Sequence, residues 1–499
     1  MPLKSKYLSY LSIALIAFGA LARLRLYFDN RSLGSDEASL AINIVNRTYF
    51  ELLNSLDYNQ AAPPLYLWIE KFAVQVLGNN EYALRLFPLV ASLVSLWLFY
   101  RLVTRFTTSI AAPIAIAFFA TLRYIVYYSI EVKPYIIDLT IGLLLFLVLG
   151  SLLTKTLSWR SIIMLSLLGA VCIWLSYPSV FILSGVELVG WFRHGASKFK
   201  AIFLNRLPIY LTWLVNFGLL YAFNVKPTMN NDNLVDSWSA RYLSSPFNIL
   251  DLLNELGKFF YKPLGFVGFS DGIAIFVFIC GCIVLSRRHK FHLLLLNAPM
   301  LMTLLATYLH KYPFRERLIL FLTPFSLIMI ADGLAFFLTI KKQQYLKFLG
   351  FLVALLLFFS PVMRTLRVIA NPSSFQFDQI HPTIEYFQAH GQPSDILYVF
   401  SKSWTSFQYY AQKYNIPPQN YIVGQLKRPK KKEEMSAEKW QEYQQEINQF
   451  RERPRMWFLS VGSSSQEIAL LLQQLDQIGT QLDVFQQPDV VICLYNLTK

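Results

Sequence analysis

Residues 161–192 read SIIMLSLLGAVCIWLSYPSVFILSGVELVGWF, and the number of times this run crosses a bilayer sets the topology of the whole chain. A spanning helix needs about 17–25 apolar residues to cross a core of about 30 Å. The run is too long for one such helix and barely enough for two. Pro178, within Ser176-Tyr177-Pro178-Ser179, offers a place to break it into a hairpin. The flanking charges decide. Lys155 and Arg160 precede the run, and Arg193, Lys198, Lys200 and Arg206 follow it, so both ends lie on the basic, cytoplasmic side and the run crosses twice.

Working outward, the remaining apolar segments place spans near 7–27, 84–104, 109–127, 135–154, 207–224, 268–286, 292–310, 317–340 and 347–363. With the pair at 161–177 and 178–192 this makes eleven. The clusters Arg101/Arg105, Arg287/Arg288/Lys290 and Lys341/Lys342/Lys347 then all fall inside, with the N-terminus inside and the C-terminus outside. Lys4 and Lys6 precede the first apolar run without a small-residue cleavage site after it, which reads as an uncleaved first span. The expected fold class is therefore a polytopic α-helical membrane protein of about eleven transmembrane helices.

Composition agrees. The 499 residues are 55% hydrophobic, with a mean hydropathy of +0.41, which excludes an ordinary soluble domain. The net charge of +15 comes from short clusters between apolar runs, a topological pattern and not a nucleic-acid surface. Cys172, Cys280, Cys282 and Cys493 have no zinc or disulfide spacing and read as small core residues.

The outer segments on this topology are 28–83, 128–134, 225–267, 311–316 and everything after 364. The first is too long for a plain connection. Within it, 36–47 and 64–77 carry apolar residues at helical spacing (Leu40, Ile44; Leu65, Trp68, Phe72, Val76), and read as amphipathic helices along the membrane interface. After 364 the composition turns polar. DILYVF (395–400), YIVG (421–424), RMWFLSV (455–461) and DVVICLYN (489–496) read as strands, and 403–415, 436–450 and 464–478 as helices, which predicts a small extracytoplasmic α/β domain. KRPKKKEE (427–434) reads as a solvated loop. The expected domains are thus a transmembrane domain over 1–363, including the outer loop 28–83, and an α/β domain over 364–499.

Three outer turns carry charge. The first has Ser35-Asp36-Glu37, which as bare physics is also a good helix start: a serine cap with acids in the first turn. The second is Tyr127-Tyr128-Ser129-Ile130-Glu131-Val132-Lys133-Pro134-Tyr135, and the third Tyr312-Pro313-Phe314-Arg315-Glu316-Arg317. Tyrosines at this depth also suit the aromatic belt. Carboxylates and cations gathered at membrane-edge turns point to a polar site at the surface.

The motifs SDEASLAINI, QAAPPLYLWIEKFAVQVLGNNEYALRLFP and YYSIEVKPYIIDL resemble those of integral-membrane glycosyltransferases of the GT-C type, and among them glycosyltransferase family 39, the protein mannosyltransferase and aminoarabinose transferase relatives. The similarity covers the first ~140 residues by motif and the other spans by architecture. The resemblance implies inverting transfer of a sugar from a polyprenyl-phosphate carrier to a protein, lipid or glycan acceptor at the outer face of a membrane, expected here to be a bacterial inner membrane. It implies Asp36 as general base, with Glu37 supporting it or binding acceptor. Lys133, Arg315 and Arg317 are the candidates for the donor phosphate, with Arg85 a weaker one because it also suits anchoring a helix end. Glu131, Tyr66, Tyr128 and Tyr135 are candidate substrate-binding residues. A divalent metal is left open, with Asp36 and Glu131 as its candidate ligands. Family members often carry His before Pro-Pro-Leu-Tyr, where this chain has Ala61-Ala62. The competing classes are a transporter and a polysaccharide ligase using a polyprenyl-linked glycan. The expected partners are the bilayer, the lipid-linked sugar and an acceptor, with no nucleic acid.

Overall fold

A computed structural model describes residues 2–239, 242–243, 245, 247–340, 343–372, 378–425, 441, 445–462 and 465–498. They form two compact units that are not made by one cut in the chain. The first comprises Met1–Asp29, Arg47–Val76 and Tyr82–Pro372; the second comprises Asn30–Asn46, Leu77–Glu81 and Ser373–Lys499.

The first unit is a bundle of apolar helices. Among the described residues seven are long and apolar enough to cross a membrane, and the bent pair Ala111–Thr121 and Arg123–Ile130 makes an eighth if it is one span. Two long helical runs turn back on themselves. In Ser179–Leu220, the Arg206 guanidinium meets the Glu187 carboxylate at 2.6 Å, although 19 residues of straight helix would hold them about 28 Å apart. In Phe269–Tyr308, Cys282 and Asn297 both reach the Met329 sulfur, at 3.4 and 3.5 Å, and His289 between them has φ −153°. Counting these arms, and Trp159–Leu175, the described residues hold eleven apolar helical segments at the expected positions. The run 161–192 breaks at Ser176–Pro178, as its sequence predicts.

The bend in the third segment has an identifiable cause. Leu122 is extended, which frees the carbonyls of the preceding turn. Arg23, fully buried in the first helix, donates to Phe119 and Ala120 O at 3.2 and 3.3 Å and to Ser92 Oγ at 2.7 Å. Non-helical backbone at membrane depth is tolerated only when satisfied from within the protein, and Arg23 does this. Elsewhere Gly281 and Gly333 let two helices touch: a Cβ at either would run into the other's main chain. Phe348, Phe351, Leu355 and Phe359 are exposed along Gln344–Ala370, an apolar face suited to lipid. On Pro64–Leu77, Phe72 and Val76 are exposed too, as an interfacial helix requires.

The second unit is built on a five-stranded sheet: β1 (Ile396–Val399), β2 (Tyr421–Val423), β3 (Met456–Val461), β4 (Thr480–Gln487) and β5 (Val490–Asn496), in the order β2-β1-β3-β5-β4. β1 pairs parallel with β2 and β3, while β5 is antiparallel to β3 and β4. β3 is buried throughout and β5 nearly so, which explains their continuous apolar runs. Helices Ile380–His390, Trp404–Lys413 and Ser465–Ile478 belong to the same unit. At its base Asp395 takes both nitrogens of a forked Arg455 at 2.9 and 3.0 Å, and the Trp457 indole at 2.8 Å. Burial alone would raise the Asp395 carboxyl, but these bonds hold it below the usual carboxylate range. The basic loop 427–434, Lys341, Lys342 and most of the helix expected at 436–450 lie outside the described residues.

The same unit contains the acidic helix. Ser35–Asn46 buries Glu37 through Ile44 and packs on Trp404–Lys413, so its apolar face is covered by the sheet domain's own helix.

Candidate active site

Asp36 and Glu37 are neighbours in sequence but point apart, because successive helical residues are turned by about 100°. Asp36 is exposed. Glu37 is buried and its Oε2 lies 2.9 Å from Nη1 of the equally buried Arg31. The same oxygen accepts the Gly34 N–H at 3.1 Å, closing the first turn as a carboxylate three residues into a helix does. Glu37 thus holds the helix start in place, and Asp36 is presented at its edge.

The cations lie in the first unit. Lys133 is only 4% exposed, on the 128–134 turn, and its ammonium donates to Gln60 Oε1. Gln60 directly precedes Ala61-Ala62, so a residue of the outer loop meets the lysine of the next turn. Arg317 stacks over the Tyr135 ring at 5.4 Å, and Tyr135 meets Tyr128 edge to face at 5.2 Å. Arg317, Tyr135 and Tyr128 are therefore brought together, all from motifs singled out in the sequence. Arg315 is less committed, with Nε 3.6 Å from Glu316, a carboxylate that Lys262 also approaches at 3.3 Å. Glu131 is buried beside Lys133, whose N–H donates to the Glu131 carbonyl at 2.7 Å. Tyr66 and Arg85 are fully enclosed, at 0% and 1% exposure, which suits packing and helix anchoring.

Sequence reasoning passed over Gln60, Glu70 and Asp138. Burial pushes the Glu70 carboxyl well above its ordinary value, opposed by the Tyr66 hydroxyl one turn earlier. Asp138 is buried in the first turn of Tyr135–Leu152. An acid inside an apolar run is itself a pointer to function, and YIID carried that signal. Among the described residues no group of three or more His, Cys, Asp or Glu side chains is placed to hold a metal ion.

A bundle of apolar helices with a C-terminal α/β unit is the architecture expected from the motif resemblance to GT-C-type integral-membrane glycosyltransferases. Residues 61–222 match the family model described as dolichyl-phosphate-mannose-protein mannosyltransferase. The fold is similar to that of ArnT from Cupriavidus metallidurans in the apo state, with a TM-score of 0.51 at 10% identity, covering 96% of this chain and 97% of that one. The same protein bound to undecaprenyl phosphate matches with a TM-score of 0.49 at 11% identity, over 97% of each chain. The archaeal oligosaccharyltransferase AglB from Archaeoglobus fulgidus, in complex with an inhibitory peptide and a dolichol-phosphate, matches with a TM-score of 0.48 at 13% identity. That match covers 81% of this chain but spans only 63% of the oligosaccharyltransferase. No curated protein matches the chain. The family match and the ArnT-like fold bear out the GT-C resemblance.

Proposed function

We propose that this protein transfers a sugar from a polyprenyl-phosphate carrier to an acceptor on the outer face of a membrane, by a single inverting displacement. The observation that carries this reading is the match of residues 61–222, which contain Lys133, Glu131 and the Pro63-Pro64 motif, to mannosyltransferases that use a dolichyl-phosphate sugar. In the reaction an acceptor hydroxyl attacks the anomeric carbon as the bond from that carbon to the phosphate oxygen breaks. Asp36 accepts the hydroxyl proton as attack proceeds, and the polyprenyl phosphate leaves with the bonding pair. The leaving phosphate gains charge that fixed cations stabilise. Lys133, Arg315 and Arg317 are assigned that role, with Tyr128 and Tyr135 as the ring bed for Arg317. The positions of the basic clusters favour an orientation with the N-terminus inside and the sheet domain outside; the bacterial inner membrane is part of the proposal and rests on the family resemblance.

Incubating the purified protein with a panel of polyprenyl-phosphate sugars, and following release of free polyprenyl phosphate by mass spectrometry, is expected to give turnover with a single-sugar donor. Turnover only of a carrier bearing a whole glycan would move the assignment to a ligase, and none with any carrier would favour a transporter.

Among the cations Arg317 should matter most, because a planar guanidinium binds phosphate oxygens in a fork and stays charged. Arg317→Ala is expected to raise the apparent donor KM by about tenfold, one charge-assisted contact's worth of binding, with a smaller change in unfolding midpoint. Unchanged donor affinity would leave Arg317 as an anchor over Tyr135.

A further inference from the structure

The segment that leads into the acidic helix is clamped by side chains of the sheet domain. Leu33 and Ser32 are fully buried ahead of the helix, so their polar groups need partners inside the protein. The Leu33 N–H donates to the hydroxyl of fully buried Tyr410 at 2.8 Å. The His381 N–H donates to Ser32 Oγ at 3.0 Å, and the His381 ring stacks on Tyr410 at 5.7 Å. Ser35 Oγ lies 3.1 Å from Thr405 Oγ1, and at the far end Asn46 donates to Gln412 Oε1 at 3.3 Å. One helix, Trp404–Lys413, therefore holds the acidic helix at its approach, its first residue and its last. The same helix also reaches the short segment 77–81: the Tyr409 hydroxyl donates to Asn79 Oδ1 at 2.9 Å, and the Lys413 ammonium reaches Glu81 at 2.6 Å.

We propose that the sheet domain is the mount that sets the position of Asp36, and that Tyr410 is its positioning residue, touching the main chain three residues before the acid. This rests on the reading of Asp36 as the general base. A base must sit within hydrogen-bond reach of the proton it takes, and a misplacement of about 1 Å costs on the order of 100-fold in rate. The Tyr410 hydroxyl fixes the approach to the helix, and its loss frees that approach without removing the ring.

The test is a cycle of four full-length proteins: wild type, Tyr410→Phe, Asp36→Asn and the double variant. Tyr410→Phe is expected to lower kcat by about 10–100-fold with donor KM changed less than about twofold. In the Asp36→Asn background the same change should cause no further loss, because the group it positions is gone. A purely structural role would lower the active fraction by the same factor in both backgrounds, and that outcome overturns the proposal, as does wild-type kcat in folded Tyr410→Phe. If Tyr410→Phe does not fold, Thr405→Val at the half-buried second contact carries the same expectation and the same overturning results. Near-normal turnover in Asp36→Asn is a separate outcome: it removes the base assignment itself, and with it the reason for a mount.

Discussion

Asp36→Asn is expected to lower sugar transfer by about 10²–10⁴-fold while donor binding persists, the range that general-base catalysis supplies. The substitution keeps the size and the hydrogen-bonding outline of the side chain and removes only its capacity to accept and hold a proton. Asp36 is exposed in the first turn of its helix, so the change is made at the protein surface. Its structural cost is the lost interaction of a carboxylate with the helix N-terminus, about 0.3–1 kcal/mol. The two effects are therefore well separated. Initial rates of polyprenyl phosphate release give the first, and thermal unfolding in detergent gives the second. A well-folded Asp36→Asn protein that turns over near the wild-type rate would return this residue to the role of a helix-start acid.

The bundle was legible because apolar length and basic flanks are one-dimensional signals. The break at Ser176–Pro178 and four of the five strands were read directly from residue order. β4 was not. TQLDVFQQ is an exposed edge strand with no continuous apolar run, so its sequence resembles a loop. Ile380–His390 was passed over as well, since its buried residues Ile380, Thr383, Ile384 and Phe387 are interspersed with polar ones.

The larger gap concerns what covers a face. Residues 36–47 show amphipathic spacing, and that pattern states that one side is apolar without naming its neighbour. The bilayer surface was the nearest candidate in sequence. The structure covers that side with Trp404–Lys413, some 370 residues away along the chain. Long-range pairing of this kind is invisible to periodicity. It also alters the division of labour: the acid helix is part of the sheet domain's compact unit.

Glu37 provides the second large expected effect, on stability instead of rate. Its carboxylate and the Arg31 guanidinium are 2% and 3% exposed and lie 2.9 Å apart. Two charges taken out of water recover their hydration cost only through each other and through further hydrogen bonds, and Gly34 supplies one of these. Removing one partner leaves the other charged and buried, a change that typically costs about 3–5 kcal/mol. Glu37→Leu is therefore expected to destabilise the protein by about that amount. The double variant Arg31→Met/Glu37→Leu replaces the pair by apolar groups of similar length and should recover most of the loss, since such exchanges are often neutral. Denaturant or thermal midpoints of the two variants in the same detergent make the comparison. Equal losses would mean that the other contacts of Arg31, the Ser32 carbonyl among them, matter as much as its pairing with Glu37, and an unaffected Glu37→Leu protein would mean that the pair is solvated. Glu37→Gln is for the same reason no silent control for Asp36→Asn. Both remove one carboxylate charge, but Glu37 is the one buried in an ion pair with Arg31, so a loss of activity at Glu37 has to be read against the unfolding midpoint before it is assigned to chemistry.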